Sequence, residues 1–348
     1  MMNNDRQMRL PAEWEPTQGV LLAWPHAATD WNYMLPEVER CYEDMIRAVA
    51  RHAVAVVIAP DTSDLRRRFS DLDPSRLVLV DLPTNDTWTR DYGPITTLDA
   101  DGRPVINDFR FNAWGDKFEA DSDNAATRRL FDCGVLRGTY NDCLDFVLEG
   151  GGIETDGCGT LLTTDSVMLT ATRNGATRAD VECRLSREFG ICHFLWLDSG
   201  WLEGDDTDGH IDTLARLAPN DTILYTAAHA ADETDAQSAS LEAMYERLQS
   251  FRTPDGRPYN LVELPLPEPI YDVDGQRLPA TYANYLVVND AILLPVYGQP
   301  QKDLLAEMTM KIAFPDHTVE RVDCRPLICQ HGSLHCSTMQ LPNDTLPL

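Results

Sequence analysis

Residues 148–165 read LEGGGIETDGCGTLLTTD: an acidic residue, three glycines, a short strand, a turn at Asp156-Gly157 and a second strand. An Asp-Gly pair between strand-like runs is a good local hairpin signal. The pattern recurs. DYGPITTLDADGRPVIND (91–108) turns at Asp101-Gly102, GHIDTLARLAPNDTILYT (209–226) at Asn220-Asp221, and TYANYLVVNDAILLPVYG (281–298) at Asn289-Asp290. Polar residues precede or begin each hairpin, and GSLHC (332–336) follows the last of them. Spacings of roughly 55–75 residues, several containing a helix, suggest repeated β/α modules rather than one doubly wound sheet. Radial repetition would gather the module starts around a central axis, bringing residues far apart in sequence together.

Between the hairpins, PEVERCYEDMIRAVARH (36–52) repeats Val38, Cys41, Met45 and Val49 three or four residues apart, which predicts a helix. Pro36 suits its first turn. The stretches 241–251 and 304–314 read as further helices, and 19–25, 53–60 and 76–83 as strands. No low-complexity linker divides the chain.

Acidic residues number 56 against 29 basic ones, for a formal net charge of −27. Such a surface repels nucleic acid and anionic membranes and attracts cations. Lys117, Lys302 and Lys311 are the only lysines, so a general preference for arginine explains part of the imbalance. The charge is compatible with a cationic substrate without establishing one. No run approaches the ~18 apolar residues of a membrane span. MMNNDRQMRLPAEWEP contains no apolar leader segment. The nine cysteines are odd in number and scattered, as expected of reduced thiols in the cytoplasm.

Four polar segments carry chemistry, each with two readings. In GDDTDGHID (204–212), a strand starting at Gly209 would point His210 and Asp212 to one face, ready for a common ligand. The alternative is a solvated acidic turn. In DTWTRDYGP (86–94), either Arg90 pairs with a carboxylate and Trp88 fills the core, or Asp91 meets a cation beside the Trp88 ring. In LEGGG (148–152), the glycines mark a bulge or a close approach of ligand to backbone. No GxGxxG or nearby lysine makes that segment a phosphate loop. In CRPLICQHGSLHC (324–336), the spacing fits no ordinary zinc pattern. Cys336 remains an inert filler, a metal ligand or a nucleophile on these residues alone.

Taken together, LPAEWEPTQGVLLAWP, WTRDYGPI, FRFNAWGDKF, LEGGGIETDG, GDDTDGHID, YANYLV and GSLHCSTMQLP resemble the agmatine deiminase family of the guanidine-modifying superfamily. The segments span nearly the whole chain in the family's order. The resemblance implies one catalytic domain over residues 1–348, an α/β fold of repeated ββαβ modules, and a five-bladed α/β propeller of the pentein type with its active site at the central axis. It implies hydrolytic removal of ammonia from a small cationic guanidine, agmatine first, with neither metal nor organic cofactor. Nucleic acid and membranes are not expected partners; self-association is left open.

Carried over by position, Cys336 matches the family nucleophile and His210 the catalytic histidine. Asp91 and Asp212 match the carboxylates that grip the guanidinium. Trp88 and Glu149 match further pocket residues, and Asp206 is placed with them. These roles suit the chemistry: a guanidinium is planar and cationic, with N–H donors that paired carboxylates accept, and its carbon calls for a thiolate. The chain departs from the family where Ser333 replaces a frequent Asn, His331-Gly332 a glycine pair, and Asp116 a glycine. Deimination of another guanidine or of peptidyl-arginine is the alternative substrate reading. A Cys/His metal-binding or regulatory module is the alternative of a different class, and an inactive guanidinium-binding homologue a third.

Overall fold

The computed structural model describes residues 8–228 and 236–347. The first seven residues, on which the reading of a leader segment partly rests, lie outside the described residues. The helix predicted from Pro36 spans Leu35–His52 and buries Val38, Cys41, Met45 and Val49, with Pro at its first turn and Arg51 and His52 in its last. Those cations face the negative end of the helix dipole. Strand Val54–Ala59 is buried at every position, as its unbroken apolar run VAVVIA requires of a strand covered on both faces.

The strands form five sheets of three or four strands plus one two-stranded hairpin, Ile270–Tyr271 with Arg277–Leu278. The five larger sheets share one plan. An antiparallel pair comes first, and a helix then carries the chain to a third strand that joins in parallel. Ile95–Leu98 pairs antiparallel with Pro104–Arg110, which pairs in parallel with Thr139–Val147. The same holds for Ile153–Thr155, Thr160–Thr164 and His193–Leu197. It holds again for Ala215–Ala218, Thr222–Thr226 and Asn260–Leu264, and for Leu286–Val288, Ala291–Val296 and Thr318–Asp323. In the remaining sheet the antiparallel partner of Thr17–Ala23 is Met339–Pro342, from the other end of the chain, and Leu77–Asp81 adds a fourth strand. The fold is mixed α/β, and among the described residues no sheet closes on itself.

Hairpin corners fall where the sequence puts them. Asn220 and Asp221 take φ of 61° and 53°, the successive left-handed pair that the tight hairpin turn needs. The other two helices start earlier than their apolar periodicity suggests, at Ala236 and Pro300. Among the described residues no helix is long and apolar enough to cross a membrane.

One expectation fails. His210 and Asp212 are not on a strand: His210 precedes a one-turn helix, Ile211–Leu214, and the strand begins only at Ala215. Gly209, at φ 92°, turns the chain sharply, while the Thr207 hydroxyl accepts the His210 N–H at 3.1 Å and Thr213 donates back to the His210 carbonyl at 2.8 Å. This local bonding competes with a ladder and wins. Similar tight turns precede other hairpins: Thr89–Tyr92 before Ile95, and Gly150–Gly152 before Ile153.

Candidate active site

These entrance turns converge. Asp91, Glu149, His210, Asp212 and Cys336 all lie on segments leading into hairpins or, for Cys336, into strand Met339–Pro342. Gly151 shows how tightly. A Cβ there would lie 2.5 Å from His210 Nδ1, 2.8 Å from Asp91 Oδ1 and 3.1 Å from Asp212 Oδ2. The glycines of LEGGG therefore serve a close approach of protein groups to backbone. Any side chain at Gly151 would push the histidine and two carboxylates apart.

Each group has assigned neighbours. Asp91 accepts from the Gly151 N–H at 2.9 Å and the Trp114 indole at 3.0 Å. Burial pushes its carboxyl up to about 6, against the pull of His210, and Glu149 and Asp212 add to the rise. His210 donates through Nε2 to Glu149 at 2.8 Å and has Nδ1 3.6 Å from Asp91. Burial opposes its charge, but Asp91, Glu149 and Asp212 outweigh it and raise the imidazole to about 9. His210 is thus an imidazolium at neutral pH. Its Nδ1 is buried without a hydrogen-bond partner.

Glu149 does not line the open cavity. It stands behind His210, held by Arg173 Nε at 2.9 Å to both its oxygens. Arg173 also donates to Asp208 at 2.8 Å and to the Thr207 carbonyl at 2.9 Å, tying Glu149 to the acidic loop 204–209. Asp212 accepts from His335 Nδ1 at 2.8 Å, and its other oxygen, Oδ1, is buried without a partner. Burial disfavours its charge, yet the bond from His335, with His210 and Arg216 behind it, holds its carboxyl below the usual range.

Cys336 is 4% exposed, with Sγ 3.7 Å from Asp212 Oδ2. Burial, then the charges of Asp212 and Asp91, push its thiol well up. Asn284 clamps the residue from both sides: its amide donates to Sγ at 3.1 Å, and its carbonyl oxygen accepts the Cys336 N–H at 3.2 Å. Sequence reading did not single out Asn284. Its signal was its position just ahead of a hairpin in YANYLV, where the other modules also put polar residues.

A cavity of about 180 Å³ opens onto Cys336 and Asp91 between the rings of Trp88, Trp114 and Phe118. Asp30, Asp86 and Asp206 line it as well, and no lysine or arginine is among the described residues that do. Burial raises Asp206, and burial followed by the Asp30 charge takes Asp86 to about 6. The structural reading of the 86–94 segment holds: Arg90 pairs with Glu13 at 3.1 Å, and Trp88 packs on Trp31; the Trp88 ring also walls the cavity that Asp91 lines. A second cavity, of about 80 Å³, is lined by Glu13, Arg90, Glu154 and Gly150.

The cysteines and histidines of 324–336 do not gather. His335 is bound to Asp212 and Glu13, and Cys324 is buried beside Cys41. Among the described residues no group of three or more His, Cys, Asp or Glu side chains could hold a metal ion. The departures from the family pattern have conformational meaning. Asp116 and His331 occupy left-handed backbone, φ 63° and 65°, which favours glycine and which Asp and His tolerate better than most residues. Gly332 must remain glycine, since a Cβ there would lie 2.2 Å from the Trp88 ring. Ser333 is buried and meets the Tyr297 hydroxyl at 2.9 Å.

Known proteins resemble this chain over nearly its whole length. The family model of Porphyromonas-type peptidyl-arginine deiminase matches residues 9–342. The chain is 31% identical to the agmatine deiminase of Stutzerimonas stutzeri (strain A1501), over 96% of its own length and 95% of that protein's. A solved chain described as "Putative Arginine Deiminase from Porphyromonas gingivalis" is 48% identical, with a TM-score of 0.90 and coverage of 97% and 99%. A C. jejuni agmatine deiminase, solved as a Cys-to-Ser variant with substrate bound, is 34% identical, with a TM-score of 0.91 and 99% coverage of each chain. A dimethylarginine dimethylaminohydrolase shares the fold at a TM-score of 0.51 and 13% identity. The chain belongs to the Porphyromonas-type peptidyl-arginine deiminase family, which places it among the hydrolases that act on C–N bonds by guanidine deimination.

Proposed function

We propose that this chain hydrolyses agmatine to N-carbamoylputrescine and ammonia through a thiouronium intermediate on Cys336. The carrying observation is the cavity itself: it ends at the Cys336 thiol and the Asp91 carboxylate, has aromatic walls, and offers Asp30, Asp86 and Asp206 but no arginine or lysine along its described lining. Those walls welcome an ammonium at the substrate's far end. The α-carboxylate of arginine, or of a C-terminal arginyl peptide, would find no cationic partner there.

In this mechanism the guanidinium enters between Asp91 and the free oxygen of Asp212, which accept its N–H groups. Its positive charge offsets the carboxylates that, with burial, hold the Cys336 thiol neutral, so once substrate is bound the thiol gives up its proton to solvent and the thiolate forms. The thiolate attacks the guanidinium carbon, forming a C–S bond and a tetrahedral adduct. His210 protonates one amino nitrogen, the C–N bond breaks, and ammonia leaves. Neutral His210 then takes a proton from water, which attacks the thiouronium carbon. As the C–S bond breaks, the hydroxyl proton of the adduct passes to the leaving sulfur, which returns Cys336 to its thiol and releases the carbamoyl product.

The recurring sheet plan supports five blades of one catalytic domain around an axis on which the entrance turns meet. The test is ammonia release from agmatine, free arginine, arginyl peptides and methylated guanidines. Preference for agmatine is expected; faster turnover of arginine or of an arginyl peptide overturns the substrate assignment.

A further inference from the structure

His331 carries a histidine ring at a backbone conformation, φ 65° and ψ 1°, that suits glycine. It ends the short turn Leu327–Gln330 and lines the cavity onto which Cys336 also opens. Its Nδ1 lies 2.7 Å from the Gly204 carbonyl oxygen. A carbonyl only accepts, so the proton of that bond is on Nδ1. In the neutral ring this fixes the tautomer and leaves Nε2 as an acceptor. Gly204 is itself held in place, since its Cα packs so closely on Arg277 that a Cβ would lie 2.3 Å from the Arg277 carbonyl. The loop it begins carries Asp206, which lines the same cavity. Lys117 fixes the loop from the other side through the Asp206 carbonyl and, at 3.0 Å, the Asp208 carboxylate.

We propose that His331 is a specificity-determining residue that receives, together with Asp206, the N–H-bearing far end of a small guanidine substrate. The inference rests on the agmatine reading above and sharpens it. Asp206 provides charge, and the ring provides a directed acceptor whose orientation the Gly204 carbonyl sets. An aliphatic tail without N–H gains nothing from either. A carboxylate tail meets a lone pair and a like charge.

The test compares agmatine with 1-pentylguanidine, which has the same reactive group and a similar length but no distal nitrogen. His331→Gly suits the left-handed backbone and removes the ring; His331→Asn also tolerates that backbone and restores an acceptor. For His331→Gly, KM for agmatine should rise about five- to twentyfold, the loss of one hydrogen bond to a charged donor, with kcat within about twofold. Pentylguanidine kinetics should not change, and His331→Asn should recover part of the agmatine preference. Equal changes for both substrates would reduce His331 to a structural tether of loop 204–209. Unchanged preference in His331→Gly would remove the residue from the subsite. Either result overturns this inference while leaving the agmatine reading standing, provided the unmodified enzyme prefers agmatine. An unmodified enzyme that turns over pentylguanidine as well as agmatine, or prefers arginine, overturns both.

Discussion

The floor of the site and its mouth hold similar numbers of charges but treat them differently. Beneath the site, Arg216 is 1% exposed and donates to Glu13 at 2.6 Å, to Glu154 at 2.5 Å, and to the carbonyls of Ala283 and Tyr285 at 3.0 and 2.9 Å. Its guanidinium also lies 4.6 Å from the Tyr285 ring. Glu13 in turn reaches Arg90 and His335, and His335 reaches Asp212. The floor supplies its own counter-charges. At the mouth, Asp30, Asp86, Asp91 and Asp206 share one cavity with no lysine or arginine among its described lining, and burial raises three of them. The floor is already neutralised by the chain, whereas the carboxylates lining the mouth face no lysine or arginine among the described residues that line it with them. A buried charge that finds no partner is costly, so the balance at the mouth favours a cationic ligand.

The sharpest break in this contrast is at the thiol between the two regions. Cys336→Ala should lower ammonia release by at least about 10⁴-fold, as loss of a covalent nucleophile does, with the circular dichroism spectrum intact. Measurable wild-type turnover in that variant would sink the proposed intermediate.

Breaking the floor should cost stability. Arg216→Met leaves Glu13 and Glu154 buried without their shared cation, and loss of one partner of a buried pair costs about 3–5 kcal/mol. Urea denaturation reads this directly. A variant of unchanged midpoint would show that the floor charges are not interdependent.

Breaking the grip should cost rate rather than fold. Asp91→Asn and Asp212→Asn each remove one charge-assisted contact, worth about 2–4 kcal/mol in transition-state binding, or roughly 30- to 1,000-fold in kcat/KM. The pH profile sharpens the same point. Below about 6, Asp91 gains a proton and loses the charge that holds the guanidinium. Above about 9, His210 loses the proton that the leaving amine needs. The unmodified enzyme should therefore show a bell-shaped kcat/KM between those limbs, and Asp91→Asn should lose the acidic one. A flat profile from pH 5 to 10 counts against both assignments.

The smallest effect is expected at the rim. Asp206→Asn should weaken agmatine about three- to thirtyfold, leaving pentylguanidine unaffected, because a partly solvated charge contributes less than a buried one. Equal weakening of both would mean that Asp206 matters for the loop and not for the ligand.

Much of this arrangement was legible in the sequence, for a physical reason. Hairpin corners are local: Asp101-Gly102 and Asn220-Asp221 announce themselves through the backbone angles they permit. The polar residues ahead of each hairpin marked where Asp91, Glu149, His210 and Asp212 would be found. What failed was the path of one segment, because period-two reasoning at Gly209 ignored the hydroxyls of Thr207 and Thr213, which bond locally and wind a turn. Of the floor, only the pairing of Arg90 with some carboxylate was legible, and not which one. Glu13 meets His335 across 322 positions and Arg216 across 203, and nothing near Glu13 in the sequence announces either partner. Arg173 was hidden in the same way, since only the folded chain puts it on Glu149. Asn284 lay within a quoted segment, but an asparagine ahead of a strand has too many ordinary uses to stand out.

Strand Met339–Pro342 completes the sheet begun by Thr17–Ala23, and Cys336 lies just ahead of it, with its carbonyl accepting the Arg90 N–H at 3.1 Å. This pairing has a consequence for the order of events on the ribosome. Translation makes the edge that needs the strand before the other described strands, and the strand itself, together with the thiol, after all of them. A nascent chain can thus build most of its hairpins while it still lacks both that seam and the Cys336 sulfur. On the proposed mechanism, the strand that adds the last antiparallel partner to this sheet and the sulfur that attacks the guanidine are made together, within a few residues of each other.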